Sequence, residues 1–293
     1  MATTGSASAW WMALRPRTLG ASLVPVLVGT AWAGRTRDVD VGVAVLTAVA
    51  ALALQIATNL ANDYYDHASG IDTAVRLGPT RVVQAGLLEP ESVRRAAFAA
   101  IGVALVVGAV LAIRGGWPIV AIGASAAVAA LAYSAGPAPL AALGCGEVLA
   151  FLYFGLFAVG GTAWLQGVAP DGGLLLVAIP VALLVTAVML VNNLRDIPTD
   201  EIAGKRTIAV LLGDASTRNL YSASVLGAFL APPLLVPTLG WAGLLPCVLL
   251  PLAWREVSLL RRRRGAELNL SLAGTARLHL LFGLASCISM TTT

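Results

Sequence analysis

Apolar stretches of about 20 residues recur along the whole 293-residue chain, the length a helix needs to cross a bilayer core. Nine are predicted to span, near residues 16–34, 41–61, 91–113, 117–135, 146–166, 173–194, 217–238, 241–258 and 273–291. Only 12% of the residues are charged and 58% are hydrophobic. A solvated protein surface carries about 25% charged residues, so a large soluble helical core does not suit this chain. Several runs, such as AIGASAAVAALAYSAG at 121–136, are rich in Gly and Ala rather than Leu. Small side chains let helices approach closely in lipid, where packing holds them together. The expected fold is therefore all-α. It is a polytopic membrane protein with about nine transmembrane helices in one bundle around a central cavity, forming a single domain over 1–293. No cleavable signal peptide is expected, because the first apolar run reads as the first span.

Basic residues set the orientation. With a cytoplasmic N-terminus, the head and the even-numbered connections carry all but Arg35, Arg37 and Arg114 of the 19 Lys and Arg. Positive charge favours the cytoplasmic side, so the N-terminus is predicted inside and the C-terminus outside. The RRRR run at 261–264 then reads as an anchor to lipid headgroups, not as a nucleic-acid contact. Cys145, Cys247 and Cys287 lie in or near apolar spans without metal-ligand spacing and read as packing residues. His67 and His279 are isolated, and His67 reads as a solvated loop residue. Oligomeric state is not legible.

The acidic residues crowd into two connections on the same predicted side. Asp63, Asp66, Asp72, Glu89 and Glu91 follow the second span, and Asp196, Asp200, Glu201 and Asp214 follow the sixth. Asn59, Asn62, Asp63 and Asp66 stand at i, i+3, i+4 and i+7, one face of a continuing helix. Such a stripe is costly against lipid, so it faces a cavity, pairs with cations or binds a metal. Its all-oxygen donors suit Mg²⁺, which is usually held by one or two carboxylates plus substrate phosphates. A solvated helix end without a role also accounts for this cluster taken alone. In the second cluster Asn193 and Asp196 share a helical face, but Pro198 disfavours helix at Ile197, so a turn is expected before Asp200. Arg76 and Arg81 follow the first cluster on a Gly/Pro loop, and Arg195, Lys205 and Arg206 accompany the second. Local ion pairing explains each cluster singly. Two of them on one side suggest halves of a single Mg²⁺–diphosphate site. A secondary transporter would instead place charges near the bilayer midplane. The spans here are nearly charge-free, with Glu147 near the start of the fifth as the exception.

NDYYD at 62–66 and RDIPTD at 195–200 resemble the paired aspartate-rich motifs of the UbiA superfamily of intramembrane aromatic prenyltransferases. RPRTLGASLVPVLVGTA at 15–31, NLANDYYDHASGID at 59–72, RLGPTRVVQAGLL at 76–88 and NNLRDIPTDEIAGKRTIAVLLG at 192–213 resemble its 1,4-dihydroxy-2-naphthoate polyprenyltransferase branch. YSAGPAPLAALGCGEVLAFLYFG at 133–155 does so more weakly, and the last two spans add only hydropathy. The resemblance implies that Asn62, Asp66, Asp196 and Asp200 hold two Mg²⁺ ions against a polyprenyl diphosphate, with Asp63 and Asp72 in or beside that shell. It implies Lys205, Arg76 and Arg206 as phosphate contacts and Gln84 and Tyr133 beside the aromatic acceptor; Arg81 on the loop, and Asn59 and Asn193 on the acidic helical faces, are further substrate-binding candidates by position. The implied reaction joins the prenyl group to 1,4-dihydroxy-2-naphthoate with loss of CO₂ and diphosphate, in menaquinone biosynthesis. 4-Hydroxybenzoate and homogentisate remain alternative acceptors. Two departures stand out: Gly20 replaces a proline of the pattern, and Leu211 replaces one phosphate-contact candidate. The Tyr–Lys pairing of 4-hydroxybenzoate relatives is also missing, since Gly136 and Pro137 follow Tyr133.

Overall fold

The computed structural model describes residues 5–70 and 77–292, and all regular structure among them is helical. A short α1 (Ala7–Leu14) leads into α2 (Pro16–Ala33), then α3 (Val41–Ala68), α4 (Pro90–Gly115) and α5 (Trp117–Ala132). Next, α6 (Gly146–Phe151) passes through a π-helical segment, Leu152–Phe157, into α7 (Ala158–Leu165). The long α8 (Gly172–Ile202) is followed by α9 (Ile208–Gly227), the short α10 (Ala231–Leu234) and α11 (Val236–Leu239), α12 (Leu250–Arg262) and α13 (Leu268–Thr291). The starts follow local chemistry. Asp40, Asp171 and Thr207 cap α3, α8 and α9 by accepting the Val43, Leu174 and Val210 amides. Pro16 and Pro90 stand at first positions, where no amide donor is needed.

Among the described residues, six helical stretches are long and apolar enough to cross a bilayer: Val41–Ala68, Pro90–Gly115, Gly146–Leu165, Gly172–Ile202, Val236–Arg262 and Gly265–Thr291. Thr18–Ala33 and Trp117–Ala132 are shorter apolar helices. The stretch expected near 217–238 is broken, with α9 giving way to short turns around Pro232, Pro233 and Pro237. Large apolar side chains such as Ile113, Trp117, Val106 and Trp241 lie on the outside, as lipid contact requires.

The expectation about Pro198 is corrected. Helix α8 runs through Pro198 without a turn, so Asp196 and Asp200 project from one helix at i and i+4. Asp63 and Asp66, like Asp196, Asp200 and Glu201, therefore ride on helix ends that continue beyond the apolar spans, not in loops. The packing of α8 explains why it tolerates the proline: 67% of its apolar window is buried, against 22% in α3 and α4. Leu184, Leu190, Val191 and Leu194 pack with Tyr221, Phe229, Val257 and Phe282 from α9, the turn after it, α12 and α13. Val177 and Val181 pack with Val24 and Trp32 of α2 and Val159 of α7. Gly155 lets the π-helical segment lie on α8, since a Cβ there would come 2.1 Å from the Cβ of Ala182.

The far end is clasped separately. Asp40 pairs with Arg114 at 2.7 Å, and Gln166 bonds both backbone groups of Asp40. The Val43 amide and the Arg114 guanidinium hold the Asp40 carboxyl below its usual range.

Candidate active site

At the opposite end from this clasp, the C-terminal turns of α3 and α8 meet. Lys205, just past α8, links them: its Nζ lies 4.0 Å from Asp66 Oδ1 and 3.8 Å from Asp200 Oδ1. The Lys205 amide donates to the Asp200 carbonyl, which closes the end of α8 and fixes this position. Motifs about 130 residues apart in the chain thus share one ammonium.

Each motif also has an arginine. Arg81, almost wholly buried, donates from Nη2 to Asp66 Oδ2 at 2.5 Å and to Asn62 Oδ1 at 2.7 Å. Arg195 makes a two-pronged pair with Asp196, Nε to Oδ1 at 2.8 Å and Nη2 to Oδ2 at 2.6 Å. It donates further to Asn192 and to Asn269 of α13. Burial of carboxylates is costly without such partners, so this end of the bundle is built around a demand for positive charge.

Several expected residues have other duties. Both carboxylate oxygens of Asp63 accept backbone amides of the loop, from Val82 at 3.1 Å and Val83 at 3.4 Å. Asp63 thereby anchors the loop that begins with Arg81. The Asn59 amide donates to the Leu14 carbonyl and to Thr18, joining α3 to the α1–α2 corner. Asn193 donates to Glu147 Oε1 at 2.8 Å. Tyr133 closes α5 with its hydroxyl 3.7 Å from Met189 Sδ, within electrostatic reach of Glu147, Asp66, Asp200 and Arg81. Gln84 is half-buried on the turn after Arg81. Arg206 is not brought into the group. Its side chain is exposed, and its amide donates to the Ala142 carbonyl. Asp72 and Arg76 lie outside the described residues. Leu211 is exposed, and Gly20 has open space where a side chain would stand.

Two participants escaped the sequence reading. Asn269 bonds both Arg195 and the Leu77 carbonyl, tying α13 to the loop beneath the first motif. Only a lone polar residue at the start of an apolar run marked it. Glu147 showed as a charge near a span, with nothing to indicate Asn193 as its partner.

Asn62, Asp66, Asp196 and Asp200 offer only hard oxygen donors, and each already draws an internal cation or lies beside a residue that does. This donor set fits Mg²⁺ with phosphate oxygens and water completing its shell. The chain is 36% identical to 1,4-dihydroxy-2-naphthoate octaprenyltransferase of Mycobacterium leprae (strain TN), covering 96% of each chain. It is 37% identical to the enzyme of that name from Mycobacterium tuberculosis (strain ATCC 25618 / H37Rv), covering 94% of each. In fold it is similar to the apo structure of a UbiA homolog from Aeropyrum pernix K1, with TM-score 0.69, 18% identity and 94% and 99% of the two chains covered. It is also similar to a UbiA homolog from Archaeoglobus fulgidus bound to DMAPP and Mg²⁺, with TM-score 0.67, 14% identity and 97% and 99% covered. Residues 22–281 match the UbiA prenyltransferase family, so this chain is an integral membrane protein that belongs to that family.

Proposed function

We propose that this chain transfers a polyprenyl group from its diphosphate to 1,4-dihydroxy-2-naphthoate, with loss of CO₂ and diphosphate, giving demethylmenaquinone in its reduced, quinol form. The observation that carries the proposal is Lys205, whose ammonium stands between Asp66 and Asp200 and so joins the two acidic motifs into one site. The acceptor assignment rests on the name shared by the mycobacterial relatives.

Asn62 and Asp66 from α3, with Asp196 and Asp200 from α8, would hold Mg²⁺. When bound, the ions would neutralise charge building on the departing diphosphate. With the ions held there, Lys205 and Arg81 would be able to turn from their carboxylate partners to phosphate oxygens, and Arg76 would be a further phosphate contact. Asp63 keeps that loop in place through the Val82 and Val83 amides. Tyr133 and Gln84 border the acceptor ring. The apolar bundle excludes water from the allylic cation, which water would otherwise quench. The diphosphate head sits at the cytoplasmic surface, the N-terminus lies inside, and about nine helical passes in a single domain surround the site. The prenyl tail stays in lipid.

The test uses purified chain in lipid nanodiscs with Mg²⁺ and geranylgeranyl diphosphate, offered dihydroxynaphthoate, 4-hydroxybenzoate and homogentisate separately. The expected result is a lipid-soluble product and stoichiometric diphosphate from the naphthoate alone. Transfer to either other acceptor in preference, or to none, overturns the assignment.

A further inference from the structure

Glu147, at the start of the apolar stretch Gly146–Leu165, is a buried acid, 4% exposed. Oε1 accepts from Asn193 Nδ2, while Oε2 is buried and, among the described residues, has no partner. An acceptor left so costs stability, and a glutamine or a leucine would fill the space without a buried charge. The surroundings connect it to the active site. Asn193 lies three residues before Asp196 on the same helix. Beside Glu147, Gly146 leaves room where a Cβ would come 3.3 Å from the Tyr133 hydroxyl and 3.8 Å from Asn193 Nδ2.

The chemistry of this corner selects its ligand. Asn193 points its N–H at the carboxylate, so it presents no oxygen there for a metal ion. An anionic group would meet the Glu147 charge. A neutral O–H donor suits the unpartnered oxygen. We propose that Glu147 takes the ring-hydroxyl proton of the aromatic acceptor and later returns it, making it a catalytic residue of the reaction proposed above, on which this inference rests.

The step balances. The allylic C–O bond breaks, its electron pair leaving with diphosphate, and the carboxyl-bearing ring carbon bonds to the allylic carbon. Positive charge spreads to the adjacent hydroxyl, whose proton passes to Glu147 Oε2, leaving a ketone beside the carboxylate-bearing carbon. The bond to the carboxylate then breaks, CO₂ leaves, and the electron pair forms an enolate. That oxygen recovers the proton from Glu147. No net proton or electron is consumed.

The test compares wild type with Glu147→Gln in nanodiscs, using 1,4-dihydroxy-2-naphthoate and its 1-O-methyl ether. Glutamine keeps the shape of the side chain and an oxygen for the Asn193 bond but cannot take the proton. Turnover of the naphthoate should fall by about 100-fold or more, the range of general-base contributions. Equilibrium Kd for the naphthoate and for geranylgeranyl diphosphate, each measured alone, should stay within about threefold. The ether should be as slow with wild type as the naphthoate is with Glu147→Gln, with no further loss when both changes are combined. Near-normal turnover by Glu147→Gln, or wild-type turnover of the ether, overturns the role. Weakening of both Kd values in step with turnover assigns Glu147 to structure and overturns it as well. A wild-type chain that transfers to no naphthoate overturns the underlying function, and this role with it.

Discussion

Residues one turn apart in the first motif carry different loads. Asp66 shares Lys205 with Asp200 and holds Arg81, whereas Asp63 spends both oxygens on loop amides. On the metal assignment proposed above, replacing either Asp66 or Asp196 by alanine removes an oxygen donor for Mg²⁺. The chain should still insert in the membrane, while Mg²⁺-dependent transfer falls below about 1% of wild type. Asp63→Asn keeps the shape but loses charge-assisted bonds, so it should lower stability by about 1–2 kcal/mol. Thermal melts and single-turnover rates in nanodiscs separate the two cases. Loss of turnover in Asp63→Asn at an unchanged Tm would give Asp63 a direct part in the chemistry and end its assignment as an anchor.

The helices were legible where their cause is local. Runs of Val, Leu and Ala fixed most of the spans, and the i, i+3, i+4, i+7 stripe foretold that Asn59, Asn62, Asp63 and Asp66 ride on helix. What failed was a local rule overridden by packing. Pro198 disfavours helix at Ile197, yet α8 is so enclosed by α2, α9 and α13 that it continues to Ile202. Contacts between distant segments, such as Glu147–Asn193 and Asn269–Arg195, have no sequence signature, because neither partner's neighbours encode the other. The close approach of the π-helical segment to α8 gives an element-level prediction. Gly155→Ala puts a methyl group 2.1 Å from the Ala182 Cβ, so the helices must separate, at a cost of about 1–3 kcal/mol. Adding Ala182→Gly removes the 2.1 Å contact but leaves the new methyl group 2.6 Å from the Cα of residue 182, so it should restore only part of the lost Tm. A double variant no more stable than the single one would mean that this contact does not set the helix spacing.

Across the whole molecule, the site and the Asp40–Arg114 clasp lie at opposite ends of α3, a helix of 28 residues. At 1.5 Å per residue that helix is about 42 Å long, enough to carry its two polar ends past both sides of a hydrocarbon core of about 30 Å. The basic residues divide with the ends: Arg35, Arg37 and Arg114 belong to the clasp end, and Arg81, Arg195, Lys205 and the 261–264 run belong elsewhere. Positive charge is retained on the cytoplasmic side, so the orientation proposed above turns the site inward. Exposed His67 at the site end and exposed Asp38 at the clasp end can report this. With Cys145, Cys247 and Cys287 replaced, His67→Cys and Asp38→Cys variants are treated in intact cells with a membrane-impermeant maleimide. The Asp38→Cys variant should label at once, and the His67→Cys variant only after the membrane is opened. The reverse pattern would turn the diphosphate site outward and overturn that orientation.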